Sequence, residues 1–202
     1  LNPKIEINST VFQYLKSIQP DHLIPFGTAF PNSQLLYSPK LIQTLGQLAR
    51  HRLSYEQTPS LPPGNFALRK LISQLYYKQG IQTDPSDIVI TSGGLDALNL
   101  SLKKKKKTGD YILLQQTIFY GAWQAAERLG LKVITIPTHP EHGIDLNAFE
   151  QAIQKYPIKV CLLMLNCHNP IGFTVKDEIK FQLAKLLHQH EIHLIEDDVY
   201  EE

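Results

Sequence analysis

The chain has 202 residues, with 20 lysines and arginines against 19 acidic residues and a net charge of +1. That balance excludes a global field that would recruit nucleic acid or an anionic membrane. The length suffices for a substantial core in one domain, with or without a small appendage, but not for two full enzyme domains.

Two cysteines, Cys161 and Cys167, suggest no disulfide framework, so a reducing cytoplasm is the expected compartment. No apolar run approaches membrane-spanning length, and Leu1-Asn2-Pro3-Lys4-Ile5-Glu6 lacks a signal-peptide core. Met164 is the only methionine, and the chain stops at Glu202 just after an apolar run. A piece of a longer protein is therefore expected.

In chain order, Val11, Phe12, Leu15 and Ile18 recur at helical spacing behind Ser9-Thr10, which predicts a capped helix over 9–19. Residues 24–31, rich in Pro, Gly and aromatics, read as a loop. A second helix is expected over 39–50, with Pro39 in its first turn. Residues 54–64 hold Pro59, Pro62, Pro63 and Gly64, so they form no regular element and mark a subdomain boundary. The expected division is an N-terminal arm over 1–53 and a larger, incomplete domain over 54–202.

From Asn65 onward helices alternate with short β-branched or apolar runs. Helices are predicted over 66–79, 95–106, 120–129, 146–155 and 175–190, and strands over 88–91, 111–115, 131–136, 159–165 and 192–196. Lys159-Val160-Cys161-Leu162-Leu163-Met164-Leu165 is almost continuously apolar, as a strand covered on both faces requires. The alternation predicts an α/β fold of three layers, with a doubly wound, mostly parallel sheet. The run Lys103 to Lys107 reads as a solvated helix end that complements the helix dipole. Without interleaved aromatic or arginine residues it makes a poor nucleic-acid site.

Ligands of such sheets sit beyond the carboxyl ends of the strands. Those ends are Ser92-Gly93-Gly94, Gln116 to Gly121, Asn166 to Gly172, and Asp197-Asp198-Val199-Tyr200. The first has two glycines before a helix start, where free N–H groups and the dipole favour an anion such as phosphate. An ordinary βα turn without a ligand is the competing reading. Arg69 follows a helix start and reads as a structural ion-pair partner. The histidines, including His188, His190 and His193, show no metal spacing, so no metal is expected.

With these stretches in hand, the chain resembles the fold-type-I pyridoxal-phosphate enzymes of aminotransferase class I/II, and within them the aminotransferase-like domain of MocR-type regulators of the GntR group. The resemblance rests on Leu61-Pro62-Pro63-Gly64-Asn65 with Leu68-Arg69, Ile90-Thr91-Ser92-Gly93-Gly94 with Ala97-Leu98-Asn99-Leu100, Asn166 to Gly172, and Ile195-Glu196-Asp197-Asp198-Val199-Tyr200. These fall in the family's order over nearly the whole chain.

The resemblance implies pyridoxal 5'-phosphate as cofactor. Ser92, Gly93, Gly94, Leu95 and Asp96 would hold its phosphate, Phe119 would stack on its ring, and Asp197 would pair with its pyridine nitrogen. Asn169 and Tyr200 would bond its phenolic oxygen. Tyr55 matches a tyrosine that reaches a neighbouring subunit's phosphate, which implies a homodimer with shared sites. Gly27 falls in a loop near the substrate carboxylate. The structural alternatives are a helix cap or exposed turn for Asp197, a simple turn for Asn169-Pro170, and ordinary core for Phe119.

The chain departs from the family pattern at Thr117, where proline is usual, at Leu95-Asp96, near which a glutamine is often found, and in the lysine run. The Schiff-base lysine of the family lies beyond Glu202, so the chain as it stands is expected to bind the cofactor weakly if at all, and to catalyse nothing. Three functions remain open: a transaminase acting on an amino acid and a 2-oxo acid, a sensor of an amine or of the cofactor in a regulator whose DNA-binding winged helix lies elsewhere, and a non-functional remnant.

Overall fold

The computed structural model describes residues 7–18, 35, 38–51, 61–105 and 107–200. The chain divides into two compact units, one made of Leu1–Ala29 with Gly93–Glu202 and the other of Phe30–Ser92. The first unit begins with α1 (Ile7–Ser17), which buries Val11. The helix starts earlier than its expected Ser9-Thr10 cap, so both residues lie inside it.

The Phe30–Ser92 unit carries α2 (Pro39–His51) and α3 (Phe66–Lys78), followed by a 3-10 turn at Pro85–Asp87. Asn65 caps α3, its side chain accepting the Leu68 N–H at 3.1 Å. Arg69 corrects an expectation: it donates to the carbonyls of Gly64 (3.2 Å) and Pro85 (2.6 Å), and it pairs with no carboxylate among the described residues. The guanidinium fork thus bonds the Gly64 carbonyl and adds a shorter bond to the Pro85 carbonyl, which also takes the Ile88 N–H at 3.4 Å.

The run 88–91 is a second correction, because among the described residues it forms no strand and joins no ladder, although Ile88 has extended backbone. Ile90 N–H donates to Pro63 O at 2.9 Å. β-Branched residues favour extended backbone with or without a partner strand alongside. Gly64, at φ +105°, is required here, since a Cβ would stand 2.6 Å from Ile90 Cβ.

The first unit continues with α4 (Gly94–Lys105), β1 (Tyr111–Gln115), α5 (Tyr120–Arg128) and β2 (Lys132–Ile136). A two-residue hairpin follows, β3 (Thr138–His139) with β4 (Gly143–Ile144), where only a loop is expected. Then come α6 (Leu146–Lys155), β5 (Ile158–Leu163), α7 (Asp177–Gln189) and β6 (His193–Glu196). The four longer strands form an all-parallel sheet in the order β2-β1-β5-β6.

Alternate side chains of each strand enter different cores. Leu113, Cys161 and Leu163 pack with Phe149 and Ala152 of α6 and Leu183 and Leu187 of α7. Ile112, Leu114, Val160 and Leu162 pack with Leu102 of α4 and Ala122, Ala125 and Ala126 of α5. Helices therefore cover both faces, which is why the central strands are apolar at nearly every position. From β1 the chain runs to β2 on one side, whereas β5 and β6 lie on the other. The order thus reverses between β1 and β5, the position where open α/β sheets place their ligands.

Candidate functional site

A cavity of about 420 Å³ opens at the carboxyl ends of β5 and β6, beside the first turn of α4. That volume suits a small molecule. Its lining includes Gly94 and Leu95 of α4, Phe119 beyond β1, Asn169 beyond β5, and Asp197 and Tyr200 beyond β6. Six of the residues expected to hold a ligand thus face one space. Its apolar wall comes from Leu98, Leu162, Met164 and Ile195, and no basic side chain lines it among the described residues.

The α4 end leaves open space beside its first N–H groups. Gly93 has φ +134°, a region that disfavours side chains, and a Cβ on Gly93 or Gly94 would meet no atom within 4 Å. Space is therefore open beside the helix start. The i→i−4 ladder begins with Ala97 N–H to Gly93 O at 3.1 Å. The Gly94 and Leu95 N–H groups precede it and carry the positive end of the helix dipole. Ser92, Gly93 and Asp96 are not among the residues that line the cavity. The Asp96 N–H closes the first turn on Gly93 O at 3.1 Å, and Ser92 is the last residue of the other unit.

Phe119 stands at the N-cap of α5, its ring 4.4 Å from that of Tyr120. What fixes the Phe119 ring is Gly121, a residue with no assigned role in the sequence reading. A Cβ on Gly121 would overlap Phe119 Cε1 and stand 2.6 Å from Leu95 Cδ2. The available signal is a lone glycine in the first turn of a helix otherwise suited to close packing.

The loop after β5 is held from several sides. Gln115, fully buried at the end of β1, accepts the Met164 N–H at 2.9 Å. Asn169 N–H points at Met164 Sδ, 3.1 Å away, and the Asn169–Pro170 peptide is cis. His168, 1% exposed, stacks on Phe173 at 4.4 Å, and burial lowers its pKa, which favours the neutral ring. These contacts present Asn169 half-buried at the rim.

The loop after β6 extends the sheet by one rung, Asp197 N–H to Leu163 O at 3.0 Å. Partial burial raises the pKa of Asp197 above the ordinary carboxylate value; a hydrogen bond from the Val199 backbone opposes this, and the charge of Asp198 adds to it. Glu196 is raised in the same direction, by burial and by Asp198, against the pull of Lys180. Asn166, itself buried, donates from Nδ2 to Asp198 Oδ1 at 2.9 Å and accepts from Lys180 Nζ at 2.6 Å. Asn166 stands at a strand end picked out by the sequence, but its link to Lys180 and Asp198 does not follow from it, because nothing in the local pattern joins positions so far apart. Tyr55 and Gly27 lie outside the described residues.

The cavity therefore combines an anion-competent helix start, an aromatic wall, and a carboxyl group that gains from a proton or a cationic partner. Among the described residues no cluster suited to a metal ion occurs, and no helix is long and apolar enough to cross a membrane.

The sequence matches the family model for aminotransferase class I and II over residues 36–202. It is 43% identical to the uncharacterized HTH-type transcriptional regulator YdcR of Escherichia coli, over 98% of this chain and 42% of that protein. It is 25% identical to the 2-aminoadipate transaminase of Thermus thermophilus, over 96% of this chain and 47% of that one. The fold matches LysN, the α-aminoadipate aminotransferase of Thermus thermophilus solved with N-(5'-phosphopyridoxyl)-L-leucine, with a TM-score of 0.76 and 25% identity over 94% of this chain and 46% of that one. It also matches Pyrococcus horikoshii kynurenine aminotransferase, with a TM-score of 0.81 and 24% identity over 94% and 48% of the two chains. The chain spans less than half the length of each of these relatives.

Proposed function

Since the chain belongs to the aminotransferase class I and II family, we propose that its cavity holds pyridoxal 5'-phosphate and that its residues grip the cofactor in the roles their chemistry suits. The observation that carries this reading is the convergence of the α4 start, Phe119, Asn169, Asp197 and Tyr200 on one space. The fit is chemical as well as spatial. The phosphate meets the N–H groups that precede the helix ladder and open ground beside two glycines, and a protonated pyridine nitrogen meets a carboxyl group whose proton affinity is raised by partial burial and by the neighbouring Asp198.

When bound, the cofactor supplies an electron sink for carbanion chemistry at an amino acid. The chain's part is to bind and orient it. Gly94 and Leu95 donate N–H groups to the phosphate, with Ser92, Gly93 and Asp96 shaping the turn. Phe119 packs on the ring and excludes water from that face. Asp197 holds the proton at the ring nitrogen, and Asn169 and Tyr200 donate to the phenolic oxygen. Tyr55 would reach the phosphate of a second subunit in a homodimer, and Gly27 would approach the substrate carboxylate.

The whole protein's activity on this reading is amino-group transfer between an amino acid and a 2-oxo acid. A second reading is supported by the 43% identity to an HTH-type regulator: the domain senses an amino acid, an amine or the cofactor itself and meets DNA only through a separate helix-turn-helix module. Encoded sequence upstream and downstream separates the two, a helix-turn-helix segment favouring the sensor and a Schiff-base lysine the transaminase. The cofactor reading is tested by calorimetric titration of the chain with pyridoxamine 5'-phosphate, which has no aldehyde to label surface lysines. Saturable binding, weakened about tenfold by Asp197→Ala, is expected. A folded chain that shows no binding rules the reading out.

A further inference from the structure

The loops after β5 and β6 carry the proposed ring partners separately, Asn169 on the first and Asp197 and Tyr200 on the second. Beyond the last backbone rung, Asp197 N–H to Leu163 O, a side-chain chain ties the two loops: Lys180 Nζ to Asn166 Oδ1 at 2.6 Å, and Asn166 Nδ2 to Asp198 Oδ1 at 2.9 Å. The amide can sit only this way round. An ammonium only donates and a carboxylate only accepts, so a flipped amide would set donor against donor and acceptor against acceptor.

The short contact of Lys180 is this one, while its charge also acts on Glu196. Its Nζ is 2.6 Å from Asn166 but 4.0 Å from the carboxylate of Asp177, which is 98% exposed and so contributes little. The ammonium polarises the amide and strengthens its bond to Asp198. Asp198 lines the cavity next to Asp197, and the two like charges repel. An Asp198 carboxylate released from Asn166 is free to rotate toward its neighbour.

We propose that Asn166 is a positioning residue: held by Lys180 of α7, it anchors Asp198, and so fixes the loop on which Asp197 meets the ring nitrogen at a set distance from Asn169. This inference rests on the cofactor reading above. Nothing in it requires Asn166 to touch the ligand.

The test uses the purified chain, pyridoxamine 5'-phosphate, and its 1-deaza analogue, in which C–H replaces the ring nitrogen. Wild type is expected to prefer the parent ligand about tenfold or more, the worth of a charge-assisted hydrogen bond. Asn166→Leu should keep a cooperative melt and lower that preference to about threefold or less. Lys180→Met should follow it, and Lys180→Arg should retain the preference. A preference in Asn166→Leu equal to that of wild type overturns the proposal, as does a loss shared equally by both ligands, which a merely structural residue would cause. If wild type binds neither ligand, the cofactor reading falls, and the ligand-free chain decides the positioning role alone. There the 13C side-chain carboxyl resonances of Asp197 and Asp198 should both move in Asn166→Leu; unmoved resonances overturn it.

Discussion

Gln115 Oε1 accepts the Met164 N–H at 2.9 Å, so a side chain of β1 takes over the pairing of β5 just past its last rung. Met164 lines the cavity, and its sulfur is the atom that the Asn169 N–H approaches. Gln115→Leu keeps the volume but strands the Met164 N–H in a dry site. We expect a loss of about 1–3 kcal/mol in urea unfolding. Pyridoxamine 5'-phosphate should also bind more weakly, since Asn169 loses its support.

Gly121→Ala drives a methyl group into Phe119 and Leu95. Overpacking of this kind costs about 1–3 kcal/mol. The clash has an identifiable partner, so the double variant Gly121→Ala/Phe119→Ala should recover stability relative to the sum of its parts. Ligand affinity should not recover, because the ring proposed to pack on the cofactor is gone. Additive stability losses would show that the glycine serves something other than Phe119.

The raised pKa of Asp197 means that the folded chain holds this proton more tightly than the unfolded chain. Between the ordinary carboxylate value and the raised one the native state binds more protons, so stability falls as pH rises through that window. Without ligand, Asp197→Asn should therefore melt above wild type near neutral pH. The gap should close below the ordinary carboxylate range, where both states are protonated. Pyridoxamine 5'-phosphate should narrow or reverse the neutral-pH gap. Parallel melting curves across pH would refute the assignment.

The two cysteines should be easily told apart. Cys161 lies in the sheet with no exposed surface, and burial pushes its thiol up to about 12, whereas Cys167 is exposed. An aromatic disulfide reagent at mildly alkaline pH should titrate one thiol at once and the second only in denaturant. Two fast thiols would mean that β5 is not packed between its two cores.

How far the sequence speaks for itself differs between elements for physical reasons. β5 is readable because a strand covered on both faces has no polar side, and α6 because Asp145 caps an amphipathic run; its cap bond to Ala148 N–H is 3.0 Å. The run 88–91 reads as a strand in error because composition reports extended backbone and not the presence of a partner. The β3–β4 hairpin escapes because two-residue strands carry no periodicity, and Pro137, Pro140 and Gly143 look irregular. At the site, the rim residues follow from strand ends and family resemblance. The roles of Gly121 and Asn166 do not, though both stand in those strand-end stretches, since the first is defined by what a missing Cβ would strike and the second by partners 14 and 32 positions away.

Leu98, Leu162 and Ile195 belong both to the core under α4 and α5 and to the wall of the cavity. The cavity is thus an unfilled portion of that core, and a ring seated there completes it. Ligand occupancy and folding are then thermodynamically linked: at a hundred times its dissociation constant, a ligand confined to the native state adds about 2.7 kcal/mol. A dye-based thermal shift would read cofactor supply directly as a melting temperature.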